Sequence, residues 1–305
     1  MTIVKDIKIK KKRQPKKLAF YLAIVLPPLI QYLIFYVGVN FNSILMAFQS
    51  YDAIKDEFFF NGFVNFERIA FEFQRHGHLR RALINSIVYY GFSLLVMAVA
   101  VFFAYYIYKK RRFSGIFRVV AFLPDIISNI TLVLIFKYFT ENAYPAIVEA
   151  LTGKEVWGLL VDPDTVRGTV MVFCLMVGFG TQMIMLANAM SAIDQSVCEA
   201  ATLDGASPWR EFIHVTLPNV FPTLSTFLIV GISNIFINQM CLFSFFDTGA
   251  DPKLWTLGYY LFRGIKGASW SEYPYLAALG VLFTLVVFPV TMLARKFFDK
   301  IDPTK

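Results

Sequence analysis

Five stretches without a single Asp, Glu, Lys or Arg, residues 18–51, 82–108, 168–193, 215–246 and 273–294, govern what this 305-residue chain can become. A helix rises about 1.5 Å per residue and the hydrocarbon core of a bilayer is about 30 Å thick, so about 20 apolar residues cross it. Each stretch is long enough. Backbone groups inside lipid must bond to one another, which continuous apolar runs achieve as helices, and the roughly ten-residue alternation of a membrane barrel is absent. Residues 116–139 make a sixth, weaker stretch, interrupted by Arg118, Asp125 and Lys137; its core VVAFLPDIISNITLVLIF suits a membrane once Asp125 has an aqueous or protein-lined face. The expectation is an all-α membrane protein with six transmembrane helices, at about residues 18–48, 82–108, 116–139, 168–190, 219–246 and 273–294.

Basic residues set the orientation. The tail over residues 1–17 holds eight Lys or Arg, KKRRFSGIFR holds five, and the segment after Ala294 holds four. In a six-helix arrangement all three fall on one side, which the positive-inside rule makes cytoplasmic, so both termini and the polar loop over residues 191–218 face the cell interior. The net charge of +8 is then that of topology anchors beside lipid headgroups, not of a nucleic-acid-binding surface. No cleavable leader pattern precedes the first run. Cys174, Cys198 and Cys241 lack paired or ligand spacing, and the His76/His78 pair has no further ligand at a matching distance, so no metal is expected.

The 191–218 loop contains EAATLDGASPWREFIHVTLP between two highly apolar stretches. Asp194 is placed to cap a helix through Glu199 to about Leu203, and Gly205 sits where a left-handed residue ends it. Ser207 and Pro208 open a second short helix, which Leu217-Pro218 is expected to end before the fifth span. The hairpin offers Ala200 and Ala201 for close approach, Trp209 and Phe212 as apolar anchors, and Glu199 and Asp204 as carboxylates.

Glu199-Ala200-Ala201, Asp204-Gly205-Ala206 and Leu217-Pro218, at these offsets, resemble the EAA loop of ABC importer permeases, with Val215 where isoleucine is usual. FNGFVNFERI is similar to the F-x-G-x-x-N-[FY] segment of sugar permeases; GIFRVVAFLPDIIS and YPYLAALGVLFTLVVFPVTMLARKFFD are similar to their third and last helices. The resemblance is to carbohydrate-uptake permeases related to the maltose and glycerol-3-phosphate systems, of the first-permease type. It implies a MetI-like bundle in a bacterial cytoplasmic membrane and no cofactor on this chain. ATP and Mg would be held by a cytoplasmic ATPase dimer that docks on Glu199, Ala200, Ala201, Asp204, Gly205, Ala206, Trp209, Leu217 and Pro218. It also implies a second permease, expected to be a different chain, and an extracytoplasmic solute-binding protein. The chain has no G-x-x-x-x-G-K-[ST] loop of its own.

Polar residues inside the spans are the candidates for a solute pathway. Gly231, Asn234, Asn238 and Cys241 recur at helical spacing with Gln239 beside them; Asp125, Ser128 and Asn129 fit one face of the third span, and Gly178, Thr181 and Gln182 one face of the fourth. Amides and hydroxyls both donate and accept, which suits a sugar; the bland alternative is bonding between helices. Asp125, after Pro124, has a third option, a backbone amide or basic partner. An importer for another solute, an ion-coupled transporter and, more remotely, a membrane enzyme built around Asp162 and Asp164 remain as rivals. A surface turn explains that acidic pair better.

Overall fold

A computed structural model describes residues 15–75 and 77–303. Residues 1–14 of the basic tail, His76 and residues 304–305 lie outside the described residues. Helix α1 (Pro15–Gln31) passes through a π-helical stretch, Tyr32–Gly38, into α2 (Val39–Met46). None of the most apolar part of this first span is buried within the chain. An antiparallel hairpin follows, β1 (Gln49–Asp52) with β2 (Glu57–Phe60), registered Gln49 to Phe60 and Asp52 to Glu57. Asn65, on α3 (Val64–Arg75), donates to the carbonyls of Ala47 (3.0 Å) and Gln49 (2.7 Å), so the FNGFVNF segment fastens the hairpin to the end of the first span.

The second span is α4 (His78–Tyr108), the third begins with α5 (Ser114–Ile126), and there the expected single crossing fails. Ile127 turns extended, and α6 (Asn129–Tyr138), continuing through a π-helical stretch into α7 (Tyr144–Thr152), leaves at 100° to α5. Pro124, with no N–H to give, weakens the last turn of α5. Two of the charges of this segment make use of the bend. Asp125 turns to backbone amides of the next span, and Lys137 Nζ donates to the Phe245 carbonyl at 3.1 Å. Each is half-buried and hydrogen-bonded within the chain.

Helix α8 (Val166–Ser191) is broken at Val177 and Gly178, where ψ is 126° and φ is 85° respectively. The loop helices are α9 (Gln195–Leu203) and α10 (Pro208–Glu211), the latter running on through a π-helical stretch, Phe212–Thr216, into α11 (Leu217–Asn234). Leu217-Pro218 therefore does not end the second loop helix: one continuous helix spans Pro208–Asn234. The wide turn lets the ladder pass the proline without its missing donor, and Asn219 Nδ2 bonds the Val215 carbonyl at 2.7 Å. The fifth span likewise stops at Asn234, short of the expected 246; a turn leads to α12 (Leu242–Phe246), then α13 (Leu257–Gly267) and α14 (Tyr273–Ile301). Among the described residues five helices are long and apolar enough to cross a membrane, and the bent pair makes a sixth span if taken as one.

Two apolar clusters build the core. One packs Phe173, Leu242, Phe245, Trp255, Tyr259 and Leu279; the other packs Ala100, Met183, Leu186, Met190, Phe212 and Val220. Around the second cluster gather the loop helices, the basic turn after α4 and the last turns of α14, where Phe298 meets Phe221. Around the first lie the α3 and α13 helices and the start of α14, joined where Glu72 accepts from Tyr275 (2.6 Å) and Tyr260 (3.2 Å).

Candidate functional site

At the basic end, Asp194 Oδ1 accepts from Ser196 N at 2.9 Å, a bond that holds its carboxyl below the usual carboxylate range and starts α9. Gly205 ends the helix at φ 76°, with Ala206 N bonded to the Ala201 carbonyl at 3.0 Å. Ser207 Oγ accepts from Arg210 N at 3.3 Å to open α10. The outward surface is formed by Glu199, Ala200, Asp204 and Gly205, with Ala201 and Ala206 half-buried beside them and Leu217 and Pro218 half-buried further on. Leu203, 89% exposed, is the apolar tip. Its place four residues after Glu199 on the same short helix was the available signal.

Phe212 corrects an expectation. It is only 4% exposed and packs on Tyr105 (ring centroids 4.7 Å) and Phe102 (5.5 Å), so it anchors the loop to α4 instead of offering a contact to a partner. Trp209 stacks parallel to Phe102 yet stays 60% exposed. The same junction holds a pair with no sequence signature: Lys109 Nζ donates to Glu211, 7% exposed, while Tyr105 OH bonds the Pro208 carbonyl at 2.9 Å and Tyr108 OH meets Cys198 Sγ at 3.2 Å. Breaking one side of a fully buried pair costs about 3–5 kcal/mol. Lys109 is only partly covered, so Glu211→Leu is expected to cost nearer 2 kcal/mol. The Lys109→Met/Glu211→Leu double variant should recover part of it. Thermal melting of the purified proteins measures both.

A cavity of about 240 Å³ lies between the two core clusters, walled by α4, α8, α11 and the turn after it. Of the expected pathway residues, Gly178, Gln182, Gly231, Asn234 and Asn238 meet in its lining. They do so without the predicted stripe: α11 ends at Asn234, and Asn238 returns through the turn, its Oδ1 accepting from Met240 N (2.8 Å) and its carbonyl from Thr256 Oγ1 (2.7 Å). Cys241 is not part of the lining and pairs with Asn129 (3.7 Å), and Gln239 is outside the wall too. Asp125, Ser128 and Asn129 share no face because the helix breaks between them, and Ser128 makes no side-chain cap bond. Asp125 and Thr181 are spent on each other: Oδ1 accepts from Gly178 N (2.8 Å), and Oδ2 from Thr181 N (2.7 Å) and Oγ1 (2.8 Å).

The α4 wall is not among the residues expected from the sequence. Ser86, Tyr89, Tyr90 and Ser93 line the cavity at i, i+3, i+4 and i+7, a polar stripe inside an apolar run. Two of the buried side-chain atoms without a hydrogen-bond partner, Tyr89 OH and Gln182 Oε1, belong to this lining. Among the described residues no charged side chain lines it, although the Arg167 guanidinium lies 5.6 Å from the centre of the Tyr89 ring.

A bundle of membrane-length helices, broken around a polar cavity and carrying a rigid capped loop at its basic end, defines the membrane-embedded subunit of a transporter. The chain belongs to the family of binding-protein-dependent transport system inner membrane components, which it matches over residues 96–301. It is a multi-pass permease of the cytoplasmic membrane. It is 29% identical over 217 residues to the inner membrane ABC transporter permease protein YcjO of Escherichia coli (strain K12), covering 70% of each chain. It is 27% identical over 194 residues to the maltose/maltodextrin transport system permease protein MalF of Salmonella typhimurium, 59% of this chain and 37% of that one. The fold is that of a chain in a bacterial ABC transporter involved in the import of the acidic polysaccharide alginate, with TM-score 0.77 at 21% identity, covering 94% of this chain and 97% of that chain. That transporter's complex with an alginate pentasaccharide-bound periplasmic protein matches at TM-score 0.76 and 21% identity, over 94% and 96% of the chains.

Proposed function

We propose that this permease moves an uncharged sugar or short oligosaccharide through the cavity by alternating access, driven by a separate ATPase dimer that grips the loop carrying Glu199 and Gly205. ATP and Mg belong to that ATPase, an extracytoplasmic binding protein delivers the solute, and a second permease chain supplies the facing wall. The observation that carries the reading is the lining itself: hydroxyls and amides without a charge, two of them buried and unpartnered at Tyr89 OH and Gln182 Oε1. Buried polar groups left unpaired are costly, and a polyhydroxyl solute can accept from the Tyr89 hydroxyl and donate to the Gln182 oxygen together, which a hydrocarbon cannot do and a single ion of either sign does for only one of the two. At about 240 Å³ the cavity is smaller than the roughly 300–1,000 Å³ of pockets for drug-sized molecules, in keeping with a single ring per chain. Among the relatives, MalF is named for maltose and maltodextrin, which are uncharged sugars.

Tyr89→Phe separates solute binding from folding. Removing an unpartnered hydroxyl is expected to leave the melting temperature of the solute-free protein unchanged or raised. It also deletes a bond to solute of about 0.5–1.5 kcal/mol, a two- to twelvefold higher KM for uptake. Asn234→Leu, whose side chain holds no other element, should raise KM similarly. Proteoliposomes containing the ATPase and the binding protein give the measurement. Unaltered uptake kinetics in both variants would remove the cavity from the pathway.

A further inference from the structure

Two broken helices meet at one carboxylate. Helix α8 changes direction at Val177 and Gly178, and the amides beyond the break have lost the carbonyls that an unbroken helix would give them. Asp125, at the last turn of α5, takes Gly178 N, Thr181 N and Thr181 Oγ1 at 2.7–2.8 Å. It thus caps the second half of α8 from a neighbouring helix, and its charge meets the positive end of the restarted helix. A second attachment lies alongside. Gly180 packs so closely on α5 that a Cβ there would fall 2.1 Å from the Ala121 carbonyl oxygen. The half of α8 beyond the break is therefore fixed to α5 at two points, and after Ser191 it leads directly, through Asp194, into α9 of the loop. The half before the break stays in the first core cluster through Val170 and Phe173. The joint between the two halves is itself cavity wall, at Val177 and Gly178, with Gln182 one turn further on.

We propose that Asp125 is a positioning residue of the transport cycle: it binds α5 and the loop-side half of α8 into one lever, so that displacement of the Glu199 loop pivots at Val177 and Gly178 and reaches the cavity at Gln182. The proposal rests on the coupling role given to that loop above. Asp125 then acts without touching solute; its carboxylate is already occupied by three donors. Asp125→Asn keeps the shape but turns an NH2 towards amides that also donate, and Asp125→Glu keeps the charge.

The test uses the assembled transporter in lipid vesicles. Amide hydrogen exchange over residues 178–182 reads the cap, and solute imported per ATP hydrolysed reads the lever. For Asp125→Asn we expect exchange at these amides to rise about tenfold or more and the transport ratio to fall about tenfold, with Asp125→Glu recovering part of both. Thr181→Val, which removes one of the three bonds, should lie between. Unchanged exchange in Asp125→Asn would show that the carboxylate does not hold the break, and raised exchange with an unchanged transport ratio would show that the break transmits nothing; either overturns the proposal. Gly205→Val vesicles run alongside separate the two readings, since their loss of uptake tests the coupling role of the loop and only the Asp125 and Thr181 variants test the lever.

Discussion

Gly180→Ala is expected to be among the most damaging single-methyl changes in this chain, costing about 4 kcal/mol or more. The added Cβ would lie 2.1 Å from the Ala121 oxygen and 2.7 Å from Phe122 Cα, both backbone atoms, so no side-chain rotation relieves the clash. Helices α5 and α8 must separate. Overpacking of this kind costs about 1–3 kcal/mol by itself. Separation also stretches the Asp125 bonds to Gly178 and Thr181, and hydrogen bonds to a charged group contribute about 1.5–3 kcal/mol each. Against a total stability of about 5–15 kcal/mol the loss is severe. The expected result is a sharply reduced yield of monodisperse protein and a melting temperature lowered by many degrees. A variant that melts with the wild type would mean that the two helices do not approach as closely as described.

Gly205→Val should give the opposite pattern, a folded protein that does not transport. Among the described residues nothing lies within 4 Å of where its Cβ would be, so no clash follows. The cost is local, about 1–2 kcal/mol for a side chain in the left-handed region at φ 76°. What changes is the outward surface between Asp204 and Ala206, both in the backbone path and in bulk. If this turn is a central docking contact, about 2–4 kcal/mol of ATPase binding is lost, roughly 30- to 700-fold. ATP-driven uptake in vesicles should fall to background while membrane content and melting stay near normal. Undiminished uptake would rule out the docking role.

These two glycines differ in how readable they were. Gly205 follows a capped, amphipathic segment and precedes Ser207-Pro208, so local chain chemistry places it at a helix end. Gly180 lies between the candidate residues Gly178 and Thr181 with nothing local to mark it; its importance comes from Ala121 and Phe122, distant in sequence. The same division holds for the cavity. The Ser86, Tyr89, Tyr90 and Ser93 stripe is local periodicity and was there to be found. Asn238 reaches the cavity only because the fifth span ends at Asn234 and the chain doubles back, a course pinned by Thr256 from beyond the turn. Phe212 reads as a partner's anchor in sequence because one helix alone does not show which of its faces a neighbouring α4 covers.

By itself the sequence determined that this chain lives in a membrane as helices, which of its ends carries the basic residues, and where the capped loop lies. Those properties follow from transfer of apolar runs out of water and from hydrogen bonds a few residues long. The tertiary structure decided where the helices break. An unbroken helix satisfies its own backbone, so periodicity always favours continuing it; a break inside lipid is tolerable only when another segment supplies the missing partners, as Asp125 does for Gly178 and Thr181. Those partners come from a different span, and only the folded bundle brings them together.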